Sequence, residues 1–432
     1  MSKFPLRRKR EGGFILITLY LLLVICLAHA TAMITHSFAE LRGSQRFEAG
    51  NRAFYLAESG IDQAIRWLGS QGTPPTGTAA LVLNGGWQTL GEGFYLSTVD
   101  PDDGNPTSFT KRYTLEGWGA GGQQASPTSL RRVRYIMQTE SFSRYAYFTN
   151  SDTSVAGATL WFITGDHIEG PTHTNGQLNM YGTPIFDGLV TSVSSSLNQW
   201  GGGPPTTNPT FNGGLQLGAS TVTMPTVIPT TLSSAASSGG RLFSGATSIT
   251  LLNNGTMSVT NASSGMVNQV LSLPGNGVVY VQGGDVTLQG TLKGQLTIAT
   301  DQTVKVANSI TYSDSPLTNP DSTDLLGIVA GKNVTISSSA PTNVNIDASI
   351  MALSSSFGVE NYNVAPAKGT LTVNGGIIQK NRGPVGTFNA STGLKASGYT
   401  KSYHYDTRLK SMIPPYFPTT GNYSALVWEE QS

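Results

Sequence analysis

Three groups of residues in this 432-residue chain have the types that do chemistry. The first is Asp166-His167-x-Glu169, followed by His173. Imidazole and carboxylate oxygens both ligate divalent ions. On a strand, however, alternation sends His167 and Glu169 to one face and Asp166 to the other, and His173 falls beyond the Gly170-Pro171 turn. No HExxH helix or cysteine partner accompanies them, so neither a metal nor a cofactor is expected. His173 and Asn175 read instead as residues that hydrogen-bond backbone at a corner. The second group comprises Asp285, Asp301, Asp314, Asp321, Asp324, Asp347 and Glu360. Glycoside hydrolysis needs two carboxylates converging across a cleft, whereas these lie mostly beside Gly, Ser, Thr or Asn and read as solvated turn residues. Without a phosphate loop or a Ser-His-Asp spacing, the chain is not expected to be an enzyme.

The third group lies late in the chain. Lys368, Lys380, Arg382, Lys395, Lys401, Arg408 and Lys410 face the single acid Asp406, with Tyr399, Tyr403, His404 and Tyr405 interleaved. Cations neutralise phosphates and exposed aromatic faces stack on bases of a single strand. This stretch is therefore the candidate nucleic-acid surface, and a solvated loop capping the last strands is the plainer reading. Arg131-Arg132-Arg134 reads as a solvated strand face.

The elements that would position these groups begin with a helix. A leader carrying Lys3, Arg7, Arg8, Lys9 and Arg10 precedes Gly12-Gly13, and an apolar run then reaches about Met33 with no charge between Phe14 and Ala28. Such a run is long enough to cross a bilayer, with the basic end on the cytoplasmic side. Ala28-His29-Ala30 offers an alternative reading as a secretory cleavage site. Against it, Phe38, Leu41, Phe47, Phe54, Leu56, Ala57, Ile61, Ala64, Ile65 and Leu68 continue at helical spacing. A single helix over 14–70, apolar and then amphipathic, is too long for a compact domain to bury.

Gly69 to Pro75 marks a linker. Strands are expected at about 93–99, 112–117 and 131–140, forming a small antiparallel sheet within 71–144. From Tyr145 to the end, short β-rich runs with Gly or Asn at their ends recur from Thr159–Thr164 to Gly376–Gln379. Stacked rungs of a parallel β-solenoid over 145–432 are the favoured reading and a β-sandwich the alternative. Residues 200–238, rich in Gly, Pro, Thr and Ser, read as a surface excursion or a poorly ordered loop. The fold class expected is mainly β with one long N-terminal α-helix.

Composition bounds the rest. Only 12% of residues are charged, and the sole cysteine, Cys26, lies in the apolar run, so no intramolecular disulfide can form. Residues 1–72 hold 9 of the 26 Lys and Arg but 5 of the 25 Asp and Glu, which leaves the remainder at net −3. A strongly basic whole-domain face is absent.

The leader, the glycine pair before Phe14, the apolar half and the segment Asn51-Arg52-Ala53-Phe54-Tyr55-Leu56-Ala57-Glu58-Ser59-Gly60-Ile61-Asp62-Gln63-Ala64 together resemble a type IV pilin, and the last segment is similar to PilX-type minor pilins. The resemblance implies that a prepilin peptidase cuts after Gly13, leaving Phe14 as the new N-terminus. It also implies a prepilin held in the inner membrane as a single-pass protein, with other pilins and minor pilins as later partners. Major pilins carry a glutamate five residues into the mature chain, where this chain has Thr18. A buried carboxylate is tolerated only when paired, so its absence fits a filament-tip subunit. A plain anchor that never assembles would also tolerate Thr18. Gly170 to Gly176, Ile350 to Leu353, Ser356 to Val359, Gly383 to Phe388, Tyr403 to Asp406 and Pro414 to Pro418 resemble a domain often appended to PilX-like N-termini. In the wider group, a competence minor pilin with a β-solenoid is implicated in DNA capture. The expectation is thus a minor, tip-type pilin presenting a surface-binding head. The alternatives are a receptor for extracellular DNA on the same pilin, or a membrane-anchored polysaccharide-binding or cleaving exoprotein.

Overall fold

The computed structural model describes residues 12–71, 75, 77, 79–102, 112–123, 126–201, 206–389, 391–392, 394–410 and 412–431. The basic leader and parts of the Gly69–Pro75 linker lie outside them. The chain divides into two compact units, one drawn from residues 1–103, 112–137 and 425–432, the other from 104–111 and 138–424.

In the first unit a helix runs without interruption over Gly12–Ser70. Its two halves meet different surroundings. From Phe14 to Leu41 the large apolar side chains stand exposed, Phe14 at 75% and Leu21 at 60%. From Ala53 onward, Ala53, Leu56, Ala57, Ile61, Ala64 and Leu68 are buried. Their three- and four-residue spacing puts them on one stripe, which packs on strands Gly93–Asp102 and Arg112–Gln123.

These two strands pair antiparallel, and the sheet extends to Leu81–Val82 and Gln88–Leu90 on one side and to Ser126–Ser141 and Thr419–Gln431 on the other. The meander expected from the sequence is present but longer. The end of the last strand, residues 425–431, belongs to this unit. Helix and sheet approach closely because their contact is made of small residues. A Cβ at Gly117 or Gly119 would run into the carbonyl oxygens of Ala57 and Ala53. On the helix side, Gly60 lets Ser97 Oγ donate to its carbonyl at 2.8 Å.

The second unit is dominated by parallel pairing, and among the described residues it joins 21 strands. One column runs through Arg241–Ser244, Val278–Gln282, Gln295–Thr300, Leu325–Ala330, Val344–Ala352 and Thr370–Asn381, each parallel to the next. The column then continues with chain from the start of the unit: Tyr147–Ser151 pairs beside Thr370–Asn381, followed by Thr172–Thr174, Val190–Ser192 and Leu215–Leu217. Register aligns like residues. Val279, Ile298, Ile328, Ile350, Ile377 and Tyr147 stand in line on one face, and Tyr280, Ala299, Val329, Met351, Ile378 and Phe148 on the other.

Parallel sheets need cover on both faces. The first line belongs to the main apolar core, shared with a second parallel column, Thr247–Leu252, Val286–Leu292, Val304–Tyr312, Val334–Ile336 and Phe357–Val359. The second line is covered by Met224, by Leu232, Ala235 and Ala236 of a short helix Thr230–Ser237, and by Phe142 and Phe417. The described residues of the stretch 200–238 make specific pairings. Thr210–Phe211 and Leu215–Leu217 join parallel ladders, and Asn175 clamps Val222 by accepting from its amide at 3.0 Å and donating to its carbonyl at 2.7 Å.

Two substitutions test the helix–sheet contact. Gly119→Val is expected to cost about 1–3 kcal/mol or more by overpacking. Gly69→Ala, where a Cβ meets nothing within 4 Å, should change stability by less than about 1 kcal/mol. Chemical denaturation of the full chain in detergent measures both, and equal effects would refute the packing argument.

Candidate functional site

The late cationic stretch does not form one exposed face. Arg382 is buried: Nη1 donates to Leu160 O and Nη2 to Trp161 O, both at 3.0 Å, while its guanidinium lies 3.6 Å from the Phe162 ring centroid. Lys401 Nζ pairs with the buried Asp166 carboxylate. Burial pushes the Lys401 ammonium below its usual range, and Asp166 opposes that shift. Arg408 forks onto Asp406, with Nε to Oδ1 at 3.0 Å and Nη2 to Oδ2 at 2.6 Å, and Nη1 donates to Ser322 O. Lys395 Nζ donates to the carbonyls of Lys368 and Gly369. Lys368 Nζ donates to those of Ser338 and Ala340, both at 2.9 Å.

The tyrosines are interior as well. Tyr399 donates to Pro341 O at 2.6 Å, and Tyr403 lies 6.4 Å from Tyr147, ring on ring. Of the nine expected nucleic-acid residues, Arg382, Tyr399 and Tyr403 are buried, Lys368, Lys380, Lys395, Lys401 and Arg408 half-buried, and Lys410 exposed. These residues therefore do not share one exposed face. A desolvated charge needs a partner, and the folded chain supplies carbonyls and carboxylates where the expectation placed phosphates.

The Asp166 to His173 cluster is likewise dispersed by strand alternation. Asp166 holds Lys401, His167 Nε2 meets Asp187 Oδ2 at 2.6 Å, and Glu169 meets His404 at 2.8 Å. His173 lies buried with Nδ1 2.7 Å from Thr191 Oγ1 and Nε2 3.0 Å from Asn175 Oδ1. Burial lowers its pKa, and the Asn175 contact offsets part of that shift. In the first unit, Arg131 and Arg134 pair with Glu430 at 3.1 Å and Glu429 at 3.2 Å, and Arg132 pairs with Glu116 over the Trp118 ring.

Four of the expected residues do meet at one place. Arg382, Lys395, Tyr399 and Lys401 line a cleft of 480 Å³ between the segment around Thr159–Asp166 and the hairpin Gly386–Phe388 with Lys395–Gly398. Of its aromatic members only Tyr399 was among the expected site residues. Trp161 and Phe388 line it half-buried. Behind them, Trp200 packs on Trp161 at 5.6 Å, and Tyr181 packs on Trp200 at 5.6 Å and on Phe388 at 5.0 Å. Two of only six tryptophans within forty residues was the available signal.

Gly13 and Phe14 lie in the first turn of the long helix. Thr18 Oγ1 donates within that helix, to Phe14 O at 3.0 Å and Ile15 O at 2.9 Å.

Residues 108–195 match a family model described as a domain of unknown function, DUF4900. No curated protein matches the chain. A solved structure of the competence-associated pilin ComZ from Thermus thermophilus is similar over 89% of this chain and 98% of that one, at 11% identity and a TM-score of 0.34.

Two outcomes follow from the buried pairs. Lys401→Met should destabilise the fold by about 3–5 kcal/mol, because Asp166 is left charged and buried, and Lys401→Met with Asp166→Asn should recover much of the loss. His173 binds its proton less readily folded than unfolded, so stability is complete above about pH 6.5 and falls as pH drops below it. His173→Gln should flatten that decline in denaturation curves taken between pH 7 and 5. An unchanged slope would remove His173 from the account.

Proposed function

We propose that this chain is a pilin-like, low-abundance subunit of a type IV filament. The first half of its helix holds it in the inner membrane, a prepilin peptidase cuts between Gly13 and Phe14, and the unit of residues 138–424 is carried outward as a β-solenoid head for surface binding. One observation carries the reading. A continuous 59-residue helix is buried on its own sheet over one half and has no cover on the other. An exposed apolar stretch of that length requires a bilayer or other helices around it, and a filament subunit meets both in turn.

Thr18 supports a tip position. Its hydroxyl is satisfied by its own helix, so burial among sister helices leaves no group that demands a partner from a subunit above. The repeated parallel registers support stacked rungs over a sandwich, whose sheets would be antiparallel. The head then works by binding rather than catalysis. A DNA-receptor role would need a surface other than the late cationic stretch, whose charged groups are mostly engaged within the protein.

Sheared filaments from a strain expressing a tagged chain provide the test. The chain should be found in them at far below the amount of the main subunit, and Leu22→Lys with Leu23→Lys should remove it from both membrane and filament. Retention in the membrane fraction with none in filaments would favour a plain anchor and overturn the proposal.

A further inference from the structure

The filament reading gives the aromatic cleft no task. We propose that it is a binding site for a neutral oligosaccharide, a short run of pyranose rings. The proposal deepens the reading of residues 138–424 as a binding head, and its test is a ligand measurement independent of filament assembly.

The rings come first. Trp161 and Phe388, two of the four aromatic residues on the cleft wall, are held from behind by Trp200 and Tyr181 in edge-on and tilted contacts, which fix their orientations. A pyranose carries a face of C–H groups that packs on an aromatic surface, while its hydroxyls stay at the ring edge. Rigid aromatics supply that area at little entropic cost.

The charges decide between ligand classes. Recognition of a phosphate or carboxylate uses cationic N–H donors aimed at the ligand. The ionised groups on this wall are Asp166, Arg382, Lys395 and Lys401. Lys401 is bound to Asp166, Arg382 to two carbonyls and the Phe162 ring, and Lys395 to two carbonyls. Their donors are directed into the protein. What remains at the cleft for a ligand is neutral: the exposed hydroxyls of Thr159 and Thr400, and that of Thr164, which also accepts from Thr183 N at 3.0 Å, while Thr387 is bonded to Ser397. Hydroxyls donate and accept at once, which matches sugar hydroxyls. An apolar peptide is a poorer match, because the aliphatic lining is Leu160, Ile163, Val385 and Leu394, and Val385 is buried. The volume lies in the range of small-ligand sites.

The full chain, in a detergent without a sugar headgroup, is titrated with chitohexaose, cellohexaose and maltohexaose, and in parallel with hexagalacturonate and dodecathymidylate. Tryptophan fluorescence and calorimetry are the readouts. At least one neutral hexasaccharide should bind saturably, and Trp161→Ala or Phe388→Ala should weaken it about tenfold. Trp161→Phe should retain part of the affinity. Thr400→Tyr, which fills the mouth from an exposed position, should abolish binding without altering the unfolding midpoint. The proposal is overturned if none of the three neutral sugars binds. It is equally overturned if only the anionic probes bind, or if affinity is indifferent to Trp161→Ala, Phe388→Ala and Thr400→Tyr alike.

Discussion

The structure depends on what surrounds an apolar helix half that its own chain does not cover. Burial of an aliphatic side chain is worth about 1.5–3 kcal/mol relative to exposure, and Phe14 to Leu41 presents a long series of such side chains uncovered. The second half shows what cover looks like: Ala53, Leu56, Ala57 and Ile61 lie against a sheet whose glycines let it come close. The same helix thus has one end finished by intramolecular packing and one end that only an external apolar medium can finish. A bilayer and a bundle of like helices are the two such media, and the filament reading uses one after the other.

The second unit solves the opposite problem. Its parallel columns bury both faces, and identical or similar side chains fall in register along each face. Cover for the outer line comes from residues 222–236 together with Phe142 and Phe417. With both faces closed, buried ionisable groups had to find partners inside. That is why Arg382, Lys401 and Arg408 sit against carbonyls and carboxylates. The unit is held by packing and internal ion pairs.

Local patterning made much of this legible. Helical periodicity identified the long helix and its stripe from Leu56 to Leu68, and period-two alternation located the strands around 93–99, 112–117 and 131–140. Many of the short strands after Tyr145 were visible as β-rich runs bounded by Gly or Asn. Non-local pairing was not. Nothing near Tyr147 or Ile377 announces that they are register partners 230 residues apart, nor that Thr419–Gln431 returns to the first sheet. Burial of charge was equally hidden, because a lysine on a strand reads the same whether an aspartate or water faces it. Trp161 and Trp200 gain meaning only from their mutual contact.

The central claim concerns how the front of the helix is finished, and the N-terminus of the protein purified from its membranes tests it most directly. Intact-mass measurement with N-terminal sequencing should give a chain beginning at Phe14. A chain beginning near Thr31, or one still carrying residues 1–13, would contradict the account.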